Sequence, residues 1–188
     1  MIPRVIIGIT GASGAIIGIR VVELLIQQGV EVHLIISHSA EKTIQSETVW
    51  TKSAIKSLPL TLHDPDNLSS RIASGSYYTN GMIIAPCSIK TLSAVANSYS
   101  SNLITRAADV CLKEGRTVIL AIRESPLHAG HIHLMKQAAR AGAVIAPPVP
   151  AFYAMPRSID EMITHLAGRL IMRLGIPNPF YSEWKGSE

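Results

Sequence analysis

Cysteine is scarce in this chain. Only Cys87 and Cys111 occur, far apart and without a CxxC or Cys/His metal spacing, so neither a disulfide framework nor a zinc site is indicated and a reducing cytoplasm is the default compartment. Charge is also sparse: 16% of residues are charged, and the net +4 is scattered, with no basic run interleaved with aromatics. That pattern argues against nucleic acid and for a small anionic ligand. No apolar run approaches the roughly 20 residues that a membrane helix needs. Arg4 before an apolar stretch superficially resembles a secretory signal, but Thr10-Gly11-Ala12-Ser13-Gly14 interrupts it with turn chemistry, so the segment reads as a buried strand. Internal repeats and low-complexity segments are absent as well.

What is present is apolar: 47% hydrophobic residues in a chain of 188. That is enough for one well-buried core and too little for two ordinary domains, so the expectation is a single domain over 1–188 with a C-terminal tail from about 174. Short apolar runs alternate with longer helical patterns, the sequence form of an α/β protein with a mostly parallel sheet. Strands are expected at Arg4–Ile9, Glu31–Ile36, Met82–Pro86, Arg116–Ile122 and Ala143–Ala146. Helices are expected at about Ala15–Gln28, Ser39–Glu47, from Ser88 or Thr91 through Val95, Asn102–Glu114, Ile132–Arg140 and, capped by Ser158 with Glu161, through Arg173. Thr48–Asn80 reads as loops with one short strand.

Open parallel sheets bind ligands beyond the carboxyl ends of their strands, which singles out four segments. Gly11-Ala12-Ser13-Gly14 joins a strand to a helix and can offer backbone N–H groups to a phosphate, although a tight turn alone would use the same residues. An acidic residue would normally close strand two of a dinucleotide fold, but the chain reads Ile36-Ser37-His38. NAD is therefore disfavoured, while Ser37 suits a flavin phosphate or ribityl chain. Pro86-Cys87-Ser88-Ile89-Lys90-Thr91 offers hydroxyls that serve a ligand or cap a helix; Cys87 lacks a nearby activating partner and reads as packing. Arg123-Glu124-Ser125-Pro126 puts two charges after a strand, as ligand contacts or a surface ion pair. Pro147 to Pro156, with Tyr153, is a loop able to cover an apolar substrate or simply to stiffen the chain.

Taken together, Thr10–Ala15, Pro86-Cys87-Ser88 with Lys90–Ser93, Arg106–Val110 with Leu112-Lys113-Glu114, Arg123–Leu127 and Pro150–Tyr153 resemble the flavin prenyltransferase (UbiX-like) family, once described as aromatic acid decarboxylases. The blocks occur in order and span nearly the whole chain; Trp50 to Leu68 carries no match. The resemblance implies a Rossmann-like (flavodoxin-like) three-layer fold and a homododecamer. The activity it implies is metal-independent transfer of a dimethylallyl group from dimethylallyl phosphate to N5 and C6 of reduced FMN, whose product serves a UbiD-type decarboxylase. It also implies FMN contacts at Gly11, Ala12, Ser13, Ser37, Ser88, Ile89, Lys90, Thr91 and Arg123. Allylic phosphate contacts fall on Lys113, Glu124, Tyr153 and Arg169, with Arg106 close by and Gly75 beside the isoprenoid pocket. Proton handling falls on Ser13 and Glu47, and Trp184 corresponds to an aromatic that covers the site in some members.

The residue types suit that chemistry. Cleaving an allylic C–O bond leaves a phosphate whose charge Lys113 and Arg169 can hold, with Tyr153 as a neutral donor. No DDxxD-like cluster appears, as metal-dependent prenyl transfer would favour. Two other readings stay in view: an FMN-dependent decarboxylase of the cysteine decarboxylase superfamily, whose PxMNxxMW-like block is missing, and a flavin carrier, which would not need Lys113, Tyr153 and Arg169. His128, His131 and His133 adjoin a helix start and read as surface histidines rather than zinc ligands.

Overall fold

The computed structural model describes residues 2–184 and 186. Its strands are β1 (Arg4–Ile9), β2 (Glu31–Ile36), β3 (Thr61–His63), β4 (Gly81–Cys87), β5 (Val118–Ile122) and β6 (Val144–Ile145). All neighbours pair parallel, in the order β3-β2-β1-β4-β5-β6. Parallel strands are covered on both faces, which explains why β4 is buried at all seven positions. Side chains alternate between two cores: Val5, Ile7, Ile9, Ile83 and Ile119 face one way, and Ile6, Met82, Ile84 and Leu120 the other.

Helices α1 (Ala15–Gln27), α2 (His38–Glu47), α3 (Lys52–Lys56) and α7 (Ile159–Met172) cover the first face. The second is covered by α4 (Ile89–Ala96), α5 (Leu103–Lys113), α6 (Ala129–Arg140) and a 3₁₀ turn at Arg71–Ala73. The result is the expected three-layer, Rossmann-like fold. Among the described residues no helix is long and apolar enough to cross a membrane.

The expected elements appear with their ends shifted by a residue or two, apart from α6, which starts three residues early. There the His128 side chain accepts a hydrogen bond from the Gly130 N–H at 3.0 Å, so a histidine does the capping. The polar stretch before β4 holds α3 and the short edge strand β3. At α7, Ser158 accepts from the Glu161 N–H, but Glu161 returns its carboxylate to the Arg157 N–H, one residue before the position a reciprocal capping box would use.

One polar network is enclosed at the β2 edge. His33, 1% exposed, places Nδ1 2.9 Å from His63 Nε2 and Nε2 3.0 Å from the Tyr77 hydroxyl. Ser70 Oγ completes the His63 end at 2.8 Å, and Glu31, held by Arg4 at 2.7 Å, completes the other. Burial, then the neighbouring His33, push His63 down to about 4; burial also lowers His33.

An unfolded chain protonates its histidines near 6.5, whereas folded His63 resists until about pH 4. The contribution of His63 to stability is therefore complete above about pH 6.5 and falls as pH drops toward 4. The loss traceable to His63 between pH 7 and 5 is about 1–2 kcal/mol. Denaturant melts of the wild type and His63→Gln should give the variant the shallower pH dependence; parallel curves would remove His63 from this account.

Candidate active site

The strand order reverses direction between β1 and β4, and ligands of open α/β sheets enter at such a switch point. Here the chain builds a crevice of about 250 Å³ lined by Thr10, Gly11, Ser37, Ser39, Ser88 and Lys90, together with residues of α4 and the start of α5. Thr10, only 2% exposed, ties the two central strand ends together. Its hydroxyl donates to the Pro86 carbonyl at 2.6 Å and accepts from the Ser88 N–H at 2.8 Å. The backbone adds Ser37 N–H to Ile9 carbonyl at 3.0 Å and Arg123 N–H to Cys87 carbonyl at 3.1 Å. The turns after β1, β2, β4 and β5 are thereby laced to one another.

Gly14 caps α1 with φ of 96°, a conformation that favours glycine. The Gly14 N–H donates to Glu47 Oε2 at 2.8 Å, so the end of α2 is fastened beside Ser13. The turn is also tight at Gly11, where an added Cβ would stand 2.5 Å from the Ser39 Cβ. Both readings of the serines hold at once. Ser37 and Ser88 accept from the Ala40 and Thr91 N–H groups, capping α2 and α4. A hydroxyl that accepts in a cap keeps its proton to donate; Ser37 has that proton free, and the Ser88 and Thr91 hydroxyls, 3.2 Å apart, have one free between them. The donor set therefore consists of neutral hydroxyls and helix N-termini, with Lys90 and Arg123 exposed nearby, which fits a phosphate and polyol chain such as FMN carries.

Ile89 packs against the second core, as its aliphatic side chain requires. Cys87 is fully enclosed, and burial pushes its thiol up to about 12, so it offers no thiolate near neutrality. Glu124 is exposed and accepts from the Ser125 N–H at 3.1 Å.

The remaining candidates form two groups elsewhere. Tyr153, in the loop after β6, and Arg169, on α7, line a cavity of about 670 Å³ with Pro147 to Pro150. Trp184 sets its ring edge-on to Tyr153, centroids 5.7 Å apart. Lys113 and Gly75 lie at the opposite end of the sheet. A Cβ on Gly75 would meet the Glu114 carboxylate and Lys113 Nζ, and Arg116 fastens this corner by donating to the Gly75 and Tyr77 carbonyls. Lys113 pairs with Glu114 at 2.6 Å, which lowers the pKa of that carboxyl. Arg106 lies one turn into α5, paired with Asp109 at 3.2 Å and bonded to the Ala73 carbonyl. Strands of five to seven residues separate the two ends by about 20 Å, so one chain does not bring Lys113 to Ser13.

Residues that sequence reasoning passed over include Thr10, Ser39, Asn102, Thr105 and Tyr181. Asn102 and Thr105 form a reciprocal capping box on α5, legible in the Asn-x-x-Thr spacing. Tyr181 has no local signal.

Fold and crevice define a phosphate-binding α/β protein, and the family model described as Flavoprotein matches residues 2–163. "Flavin prenyltransferase UbiX" of Thauera aromatica is 49% identical over 185 residues, covering 98% of this chain and 95% of its own. The crystal structure of AnUbiX (PadA1) in complex with FMN and dimethylallyl pyrophosphate superposes with TM-score 0.97 at 40% identity over the whole of both chains. A dodecameric FMN-dependent UbiX-like decarboxylase from Escherichia coli O157:H7 gives 0.92 at 38% identity, covering 97% of this chain and all of that one. This chain belongs to the UbiX-like flavin prenyltransferases.

Thr10→Val leaves the Ser88 N–H without its partner and takes one of two donors from the Pro86 carbonyl, which keeps the Thr10 N–H at 3.3 Å; an unsatisfied buried N–H costs about 1–3 kcal/mol. Denaturant unfolding should show that loss, with Thr10→Ser recovering most of it. Equal stability of all three proteins would mean that the lacing is not carried by this hydroxyl.

Proposed function

We infer that the chain is a flavin prenyltransferase that joins the dimethylallyl group of dimethylallyl phosphate to N5 and C6 of reduced FMN, and that the product passes to a UbiD-type decarboxylase. The observation that carries this reading is likeness over the full chain to a structure solved with both FMN and dimethylallyl pyrophosphate, combined with a crevice at the switch point lined by hydroxyls and Lys90. Reduced flavin supplies the electron-rich atoms that take the allyl group; this chain's residues hold the reactants and manage charge and protons.

Gly11, Ala12 and Ser13 lie at the α1 N-terminus, where backbone N–H groups favour an anionic or polar ligand. Ser37, Ser88, Ile89, Lys90, Thr91 and Arg123 complete the flavin side. As the C–O bond breaks, negative charge grows on the departing phosphate. Lys113 and Arg169 answer it as fixed cations, with Tyr153 donating, and preorganised charges of this kind stabilise such a transition state without reorganising. Glu124 and Arg106 belong to the same subsite, Gly75 leaves room for the isoprenoid, and Trp184 covers it. Ser13, backed by Glu47 across the Gly14 contact, takes the proton that alkylation releases, and the freed phosphate is its final acceptor.

Because one chain holds Lys113 and Ser13 at opposite sheet ends, this reading draws Lys113 and Gly75 from a neighbouring copy. A closed homo-oligomer with heterologous interfaces provides such head-to-tail contacts, and one relative is dodecameric. Residues 1–188 then act as one flavin-binding domain whose tail from about 174 contributes Trp184. Two buried free thiols suit a reducing cytoplasm.

The direct test is anaerobic mixing of the protein with reduced FMN and dimethylallyl monophosphate, then mass spectrometry of the extracted flavin. One added C5H8 unit is expected, and unmodified FMN with both monophosphate and pyrophosphate would overturn the reading. Lys113→Ala and Ser13→Ala should each lose most activity while keeping FMN. Reassembling the two variants together should restore about a quarter of the sites, because the two residues come from different copies; no recovery in verified mixed oligomers would place both residues in one chain's site.

A further inference from the structure

Arg169 does not reach Tyr153 directly; a third side chain stands between them. Arg169 Nη1 donates to the Tyr181 hydroxyl at 2.6 Å, and that hydroxyl lies 3.1 Å from the Tyr153 hydroxyl. A guanidinium has donors only, so the Tyr181 oxygen is the acceptor from Arg169; with Tyr153 as the donor of the 3.1 Å contact, both lone pairs of Tyr181 are used and its own proton remains to be given away. We propose that Tyr181 is a further binding residue of the phosphate subsite, donating its hydroxyl proton to the phosphate of the allylic substrate beside Tyr153 and Arg169. The inference rests on the prenyltransferase reading above and adds a residue to it.

Three features favour a donor over an occupant that the anion must push aside. First, the segment around Tyr181 is fastened on both sides. Asn178 Nδ2 donates to the Gly168 carbonyl at 2.8 Å and Asn178 Oδ1 accepts from the Phe180 N–H at 3.2 Å, while His165 Nε2 lies 3.3 Å from the Ser182 carbonyl. A Cβ on Gly168 would stand 3.0–3.1 Å from Asn178 and Phe180, so this helix face is shaped to receive the segment. Second, displacing Tyr181 would break a charge-assisted hydrogen bond, roughly twice as strong as a neutral one, and would part its ring from His165, 4.9 Å away centroid to centroid. Third, Arg169 uses one of its five N–H groups on Tyr181 and keeps others for an anion. Donation from the guanidinium polarises the phenol O–H, which strengthens it as a donor; part of the effect of Arg169 on the phosphate is thereby relayed through Tyr181.

Tyr181→Phe keeps the ring and removes only the hydroxyl. Using the full-length, FMN-loaded protein, inorganic phosphate titrated by calorimetry should bind about tenfold more weakly to Tyr181→Phe, the cost of one good hydrogen bond to an anion. KM for dimethylallyl phosphate should rise by a similar factor while FMN affinity and melting temperature stay as in the wild type. Unchanged or tighter phosphate binding by Tyr181→Phe, with Arg169→Ala binding clearly more weakly, would overturn the role of Tyr181 and leave the subsite reading intact. Wild-type phosphate affinity in Arg169→Ala would overturn the subsite reading and the Tyr181 proposal with it. A fall in affinity of Tyr181→Phe matched by an equal fall in melting temperature and FMN binding would assign the hydroxyl to structure and also overturn the proposal.

Discussion

Strands that all run the same way put every strand-to-helix turn at one end of the sheet and every helix-to-strand return at the other. In this chain the turns after β1, β2, β4 and β5 gather Gly11, Ser37, Ser88 and Arg123 at the carboxyl end, while the return before β5 leaves Lys113, Glu114 and Arg116 at the amino end. Strands of five to seven residues set the two ends about 20 Å apart, further than a side chain reaches. The parallel sheet therefore decides what a single copy can do. It can build a cradle for a phosphate-bearing ligand at the switch point, and it can present a cation at the far end, but it cannot apply that cation to its own cradle. Oligomerisation follows from the chemistry as soon as both are required at once.

Within the cradle, the polar groups are arranged so that structural and ligand duties coexist. A cap hydroxyl accepts from a helix N–H and has its proton left over, as at Ser37, while Ser88 and Thr91 pair their hydroxyls at 3.2 Å and leave one proton of the two; each cap thus stabilises a helix and still lines the crevice. Thr10 is the opposite case: its hydroxyl both donates and accepts within the protein. No proton remains for an anionic ligand, so Thr10 fastens the turns to one another instead. Full charges occur at both sheet ends: Lys90 and Arg123 lie exposed beside the cap hydroxyls at the carboxyl end, and Lys113 lies at the amino end, paired with Glu114.

The strands and most helices were legible in the sequence because parallel strands are uninterrupted apolar runs and some helices carry their caps in plain view, as with Ser88 and Ser158. The stretch before β4 was not, since β3 is an edge strand of three residues, partly exposed, and α3 has only five; neither length supports a period. The start of α6 was hidden because a histidine rather than a serine or aspartate makes its cap. For the site, local segments pointed to the crevice, but the allylic phosphate residues came from resemblance alone. Spacing along a chain carries no information about which sheet end a residue reaches when the connecting helix runs the full depth of the fold, as α5 does between Asn102 and Lys113.

Tyr181 illustrates the same limit at a finer scale. Its neighbours Pro177, Pro179 and Ser182 mark an irregular tail, the kind of segment that sequence reading sets aside. Yet the tail is held by side-chain contacts to α7, at Gly168 and His165, rather than by a backbone ladder. Such contacts have no periodic signature, and they need only one small residue at the contact point. Gly168 is that residue, and the space it leaves lets the tail lie close enough for a phenol to meet the guanidinium one residue further along the helix. The position of the Tyr181 hydroxyl thus depends on Gly168, where even a Cβ would stand 3.0–3.1 Å from Asn178 and Phe180, so a larger side chain at 168 would press the tail away from the helix and Tyr181 away from Arg169 without altering either residue.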